Sequence, residues 1–218
     1  MIELILLALS TSIQPKPKLI YVGDPMCSWC YGISEELAMV KQHFEDELDF
    51  EIVIGGLRPY NRQTMAELKD FLTQHWLDVN SRSGLEFNFD ILNDETITYD
   101  TEPPSRAVLV VRRLSPEKEF EFFKAIQRVF YFENKNMHLA ESYHEVLKRM
   151  DIDVEIFNVL FDAEEMRALV KLDFARARQL GANSFPTLLL QAGDSIHLVN
   201  RGFTKKQQMI RAIERILE

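Results

Sequence analysis

Cys27 and Cys30 are the only cysteines in the 218-residue chain, and they form one Cys-x-x-Cys. Their surroundings constrain the fold more than any other stretch. Just before them, Lys18-Leu19-Ile20-Tyr21-Val22 is a short apolar, β-branched and aromatic run that reads as a buried strand. Just after them, Ser34 to Leu48 carries apolar residues at 37, 40, 44 and 48 with charges between, a helical spacing. The cysteines therefore stand at a strand-to-helix junction, the first half of a βαβ unit. That context favours a redox-active dithiol.

The chemistry wants that place. Thiolate is the attacking species, and an unperturbed cysteine thiol is only about 3% ionised at pH 7. A helix start surrounds the sulfur of Cys27 with unpaired N–H groups and the positive end of the helix dipole, both of which favour S⁻. Cys30 comes one turn later on the same face and can reach back. Cys27 is thus the nucleophile and Cys30 the resolving thiol. A static disulfide across so short a loop would constrain the unfolded chain little. A metal site is the sharper rival, because His138 and His144 have the H-x5-H spacing of some zinc ligands. More than a hundred residues separate them from the cysteines, however. On a helix, six positions also place two rings about 120° apart. No metal and no cofactor are expected.

Length and a 46% hydrophobic composition suit one large domain or a domain with an insertion. The net charge of −9, without a basic block, lacks the footprint of a nucleic-acid binder. No apolar run reaches the length of a membrane span, so no membrane partner is expected. At the start, Met1-Ile2-Glu3-Leu4-Ile5-Leu6-Leu7-Ala8-Leu9-Ser10 ends in a small-x-small triplet, yet it carries Glu3 where an export signal is basic. Residues 1–17 are read as an N-terminal extension, with residues 1–12 a strand or loose segment and Pro15 and Pro17 breaking any regular element. The expected compartment is the cytoplasm, or the periplasm if residues 1–10 act as an atypical export signal.

Further along, Phe50 to Gly56 reads as a second, parallel strand ending in a glycine pair. Gly55, Gly56, Leu57, Arg58 and Pro59 either line the rim of the site or simply turn the chain, and Arg58 could add positive potential there. From Gln63 to about Leu180 the pattern is helix after helix. Expected helices run from Met65 to Val79, from Pro103-Pro104 to Leu114, from Ser115-Pro116 to about Glu133, from Glu141 to Met150, around Ile156 to Leu160, and from Ala163 to Leu180, the last stopped by Gly181. Residues 84–101 are a less regular link. Phe120, Phe122, Phe123, Ile126, Val129, Phe130, Tyr131 and Phe132 are a broad aromatic surface that either fills a core or roofs a groove for an unfolded substrate segment. Phe185 to Gln191 and Ser195 to Asn200 flank Ala192-Gly193-Asp194 as a β-hairpin, and Thr204 is placed to cap a last amphipathic helix from Lys205 to Leu217.

This order of elements resembles the DsbA-like thioredoxin family. Asp24-Pro25-Met26-Cys27-Ser28-Trp29-Cys30-Tyr31, with Ser184-Phe185-Pro186-Thr187, looks most like its FrnE-like, predicted disulfide-isomerase branch. The resemblance covers about Lys18 to Leu217. It implies an α/β thioredoxin fold with a large all-helical insertion, the core being residues 18–59 and 184–218 and the insertion residues 60–183. It also implies a cis Pro186 whose loop faces Cys27, with Phe185, Pro186 and Thr187 bordering substrate and the Phe185 backbone pairing with an extended substrate strand. Trp29 would border the nucleophile and contact substrate. The implied activity is thiol-disulfide exchange with protein or small-thiol disulfides, glutathione among the candidates, with the oxidase, reductase or isomerase direction open.

The sequence departs from the family pattern in two places. Tyr21 occupies the position, six residues before the nucleophile, where many thioredoxins carry a buried acid, which leaves Asp24 or water as proton acceptor for Cys30. The intervening pair is Ser28-Trp29, so no histidine helps to hold the thiolate. Two other classes remain: a glutathione-dependent transferase or isomerase on the same fold, which usually lacks the cysteine pair, and a non-catalytic redox-sensing module.

Overall fold

The structure is a computed structural model that describes residues 16–218. The readings of residues 1–12 lie outside the described residues. Strand β1 (Lys18–Gly23) pairs in parallel with β2 (Asp49–Ile54) and antiparallel with β3 (Thr187–Ala192), which forms a hairpin with β4 (Ser195–Arg201). The sheet order is β2-β1-β3-β4. Alternation along β1 divides the core. Leu19 and Tyr21 enter the main hydrophobic cluster, while Ile20 and Val22 join Val53, Leu189, Ala177 and Ala182 on the other face. A strand buried on both faces reads as the continuous apolar run seen in the sequence.

Helix α1 spans Ser28–His43, six residues earlier than the apolar rhythm suggests. Its first turns are buried nearly all round, with Ser28, Cys30, Tyr31, Gly32, Ile33 and Ser34 inside, so no amphipathic stripe marks them. Phe44 and Leu48 are buried in the turn that follows the helix, where Leu48 N donates to Phe44 O at 2.9 Å. Between β2 and β3 come α2 (Lys69–Ser83), α3 (Glu102–Leu114), α4 (Glu119–Tyr131), α5 (His144–Arg149), α6 (Val154–Asp162) and α7 (Glu164–Gln179). Helix α2 starts later than expected. Thr64 and Glu67 close a reciprocal box, Thr64 N to Glu67 Oε2 at 2.7 Å and Glu67 N to Thr64 Oγ1 at 3.2 Å. Residues 65–68 nevertheless run as tight turns, Leu68 N bonding Met65 O and Lys69 N bonding Ala66 O, before regular helix begins. Gly181, at φ +71°, ends α7 as expected, with Ala182 N bonded to Ala177 O and Gly181 N to Arg178 O. The helical stretch is not wholly free of β pairing, since an isolated bridge joins Thr64 and Thr98.

The aromatic surface of α4 is core. Phe120, Phe122, Phe123, Ile126, Val129, Phe130 and Tyr131 are all buried, because only the stripe of Glu121, Lys124, Ala125 and Arg128 faces outward, and Phe132, just past the helix, is half-buried. Phe120 meets Phe50 of β2, Phe123 meets Tyr21 of β1, Phe122 meets Tyr143 and Phe157, and Tyr131 meets Trp76 of α2. Those rings roof no groove.

The insertion also seals the outer edge of the sheet. Arg112 of α3 donates to Ile52 O at 2.9 Å, and Asp173 of α7 accepts from Ile54 N at 3.0 Å, while the two side chains pair with each other at 2.9 Å. Two of the backbone groups that β2 would otherwise leave open are thus satisfied by side chains. Helix α8 (Lys206–Leu217) is not capped by Thr204. Glu36 of α1 takes that role across the core, accepting from Lys206 N at 2.9 Å and pairing with Lys205 Nζ at 2.9 Å.

Candidate active site

Cys27 is the residue that begins α1, with extended backbone angles (φ −87°, ψ 115°), and its carbonyl accepts the first helical bond from Tyr31 N at 3.0 Å. Its side chain accepts no hydrogen bond from the first-turn N–H groups, so the helix start acts on the sulfur through its dipole alone. Both cysteines are free thiols and both are buried. The Cys30 sulfur lies one turn deeper, within hydrogen-bonding reach of Cys27. Burial, and then the Cys27 thiol, push the Cys30 thiol well above the ordinary range, while the Tyr21 hydroxyl and the Asp24 backbone N–H pull it back.

The distant half of the site arrives on β3. The Phe185–Pro186 peptide is cis. Since the β1–β3 ladder ends at Val22 and Thr187, Phe185 lies just beyond it, facing the cysteines. The Cys27 thiol donates to Phe185 O at 3.6 Å across 158 residues of sequence. Gly202 N holds Pro186 O at 2.8 Å, and Thr187 Oγ1 donates to Ser184 O at 2.7 Å, so Thr187, fully buried, braces the loop from within. Gly55 explains itself here. A Cβ on it would fall 2.2 Å from the Phe185 ring, so the glycine at the end of β2 lets that ring close over the strand.

Trp29 is half-buried on the other flank, against Phe203 (6.4 Å between rings) and beneath the Arg82 guanidinium at 5.5 Å. Cys27, Cys30, Trp29, Phe185, Pro186 and Asp24 are therefore brought together, with Thr187 behind them. Arg58 lies beside the Phe71 and Tyr99 rings at 5.4 and 6.0 Å. The histidines go elsewhere: His138 Nε2 lies 3.3 Å from Asp100 O, and His144 Nε2 lies 2.9 Å from Asn158 Oδ1. Among the described residues, no group of three or more His, Cys, Asp or Glu side chains is placed to hold a metal ion. Nor, among them, is any helix long and apolar enough to cross a membrane.

Tyr99 and Thr101 carry no sequence signal, and Leu57, expected only at the rim, contributes its backbone. Tyr99, in the irregular link, donates its hydroxyl to Met26 O and so fixes the residue before the nucleophile. Leu57 N and Thr101 meet the Asp24 carboxylate.

Asp24 is fully buried and ties three segments together, accepting from Met26 N at 2.8 Å and from Leu57 N at 2.7 Å. Burial raises its carboxyl to about 6, against the opposing pull of those N–H groups and the Thr101 hydroxyl. Because the folded value exceeds the unfolded one, Asp24 favours folding most below about pH 4 and loses that contribution as pH rises through about 6. Urea unfolding of the wild type and Asp24→Asn across pH 4 to 7.5 should show the stability difference falling, wild type relative to variant, by up to about 3 kcal/mol. A difference that stays flat with pH would refute the assignment.

A thioredoxin family model (Thioredoxin_5) matches residues 20–200. A solved structure from Nitrosomonas europaea, described as a putative protein disulfide isomerase, shares 30% identity over 93% of this chain and 98% of its own, with a TM-score of 0.85. The cytosolic disulfide reductase DsbM from Pseudomonas aeruginosa shares 26% identity over 92% and 98% of the two chains, with a TM-score of 0.74. A second structure of DsbM, with GSH, aligns over 92% and 100% at 23% identity and a TM-score of 0.70. No curated protein matches the sequence. With a dithiol at the start of α1, a cis-proline loop against it and a helical insertion between β2 and β3, the chain belongs to the DsbA-like thioredoxin family of thiol-disulfide oxidoreductases.

Proposed function

We propose that Cys27 attacks disulfides of protein or small-thiol substrates, glutathione among them, and that Cys30 resolves the mixed disulfide. In the first step the Cys27 thiolate forms a bond to one substrate sulfur and the other leaves as a thiolate. In the second, Cys30 attacks the Cys27 sulfur, closing the Cys27–Cys30 disulfide and releasing the remaining substrate thiolate, which takes a proton. The observation that carries this reading is the contact of Cys27 Sγ with Phe185 O at 3.6 Å. It sets the nucleophile beside a backbone edge that has left its ladder, where an extended substrate can pair. Asp24 holds the loop between β1 and Cys27, and Trp29, Phe185 and Pro186 border the substrate.

The exposed apolar side chains of Leu57, Tyr60 and Phe71 follow β2 and suit an unfolded polypeptide. The Arg82 guanidinium over Trp29 suits a carboxylate-bearing thiol such as glutathione. The similar DsbM structures, a cytosolic reductase and the same protein with GSH, support a cytoplasmic thiol pool as the exchange partner.

The test is equilibration in glutathione buffers of graded potential, followed by Trp29 emission and by mass. The wild type should pass through one two-electron transition. Cys30→Ser should instead retain one glutathione per chain, attached at residue 27. Emission that is indifferent to potential, together with an unmodified Cys30→Ser protein, would overturn the proposal.

A further inference from the structure

The deeper cysteine poses a chemical problem. Cys30 is fully buried, and its burial favours the neutral thiol, yet it must become a thiolate to resolve a mixed disulfide. Asp24 is the buried carboxylate of the loop that leads to the cysteines, but its Oδ1 and Oδ2 are committed to Met26 N and Leu57 N, with Thr101 beside them. What that residue offers Cys30 is its backbone N–H.

Tyr21 is differently placed. It projects from the same face of β1 as Leu19, into the main core that also holds Cys30, and its hydroxyl is a neighbour of the Cys30 thiol. Three features hold it there. Its ring packs edge-on against Phe123 of α4, with centroids 5.7 Å apart. The ring is buried within the main hydrophobic cluster. Its hydroxyl end lies over Gly23, where an added Cβ would come within 2.6 Å of both Cζ and the oxygen. Gly23 is thus the residue whose missing side chain lets the phenol reach past the end of β1.

We infer that Tyr21 is the hydrogen-bond donor that stabilises the Cys30 thiolate during resolution, the part of the site that the dithiol motif does not supply. This rests on the proposed roles of the two cysteines. The proton balance requires no further base. The Cys30 proton leaves as its sulfur attacks Cys27, and the departing substrate thiolate ends protonated, directly or through solvent. Tyr21 keeps its own proton throughout, and burial holds its phenol well above the ordinary range, so it donates at every working pH. The titratable groups facing the Cys30 sulfur are Cys27 at the start of α1, Tyr21 on β1, Asp24 in the loop after it and Tyr131 on α4, while Tyr99 in the link faces Cys27 and Asp24.

The decisive variant is Tyr21→Phe, which keeps the ring and removes the oxygen. Stopped-flow measurement with glutathione disulfide separates attack by Cys27 from resolution by Cys30. A hydrogen bond to a charged sulfur makes the expected loss roughly 10- to 100-fold in the resolution rate. The pH profile of that step should move upward by about one unit or more, while attack by Cys27 stays within about twofold. Gly23→Ala, which displaces the hydroxyl without deleting it, should slow the same step. Phe123→Leu, which disturbs the packing but not the oxygen, should leave the pH profile in place. If Tyr21→Phe resolves at the wild-type rate with an unmoved profile, the inference is wrong. It is equally wrong if attack and resolution fall together and Phe123→Leu does the same. Failure of Cys27 to react at all in the wild type would instead defeat the proposed function, so the two failures are distinguishable.

Discussion

Cys27→Ser should abolish dithiol-driven reduction of insulin, with a loss of roughly three orders of magnitude or more, the scale seen when a covalent nucleophile is removed. A serine hydroxyl in the same place is far less ionised than a thiol and cannot form the mixed disulfide. Cys30→Ser should fail differently. Cys27 still meets substrate beside Phe185 O, so the first bond forms, but the intramolecular exit is gone and substrate remains attached. Non-reducing electrophoresis of the two variants after exposure to insulin should therefore show adducts with Cys30→Ser and none with Cys27→Ser. The same pair of proteins separates the remaining classes. A glutathione-dependent transferase would keep turning over without Cys30, whereas a redox sensor would show a reversible wild-type disulfide and no turnover. Unchanged insulin reduction by Cys27→Ser would remove the nucleophile from the account.

The second large effect is expected far from the cysteines in sequence. Trp76 of α2 is fully buried against Phe87, Phe89, Phe130 and Tyr131. Tyr131 in turn stacks on Tyr31, the residue after Cys30, at 4.9 Å and nearly parallel. Replacing Trp76 by alanine empties the joint between the insertion and the cysteine helix, and such a change costs about 3–5 kcal/mol. Against a total stability of the order of 5–15 kcal/mol, that is a large share. Chemical denaturation should read it directly. The indole N–H has no hydrogen-bond partner in its pocket, so Trp76→Phe, which also removes that buried donor, should lose distinctly less than Trp76→Ala. Equal losses in the two variants would mean that the joint is not set by packing volume.

The parts legible in the sequence were those with a local cause. The dithiol at a strand-to-helix junction, the hairpin around Gly193, the paired prolines opening α3 and the glycine closing α7 each follow from a few consecutive residues. Helix starts were harder to place. The beginning of α1 is buried on all sides, so hydrophobic periodicity, which needs a wet face for contrast, has nothing to register. The α4 rings were undecided between core and groove for another reason, since a broad apolar face does not itself say what covers it. Other features depend on partners distant in sequence. Glu36 displaces Thr204 at the start of α8 because the two helices are packed neighbours, a fact about tertiary structure. Tyr99 looks like an ordinary core aromatic in sequence, and only its hydroxyl, placed by the fold against Met26, distinguishes it. Tyr21 was marked by its place six residues before Cys27, whereas the use of its hydroxyl depends on the fold.

The Arg112 and Asp173 clamp on β2 gives the inserted helices a protective duty besides any part in substrate choice. A version of this protein trimmed back to its sheet and flanking helices would bare Ile52 O and Ile54 N together, offering a ready template to the next copy. Such a minimal variant should keep both thiols and still drift towards sheet-mediated aggregates, so shortening this scaffold safely means blunting that rim first.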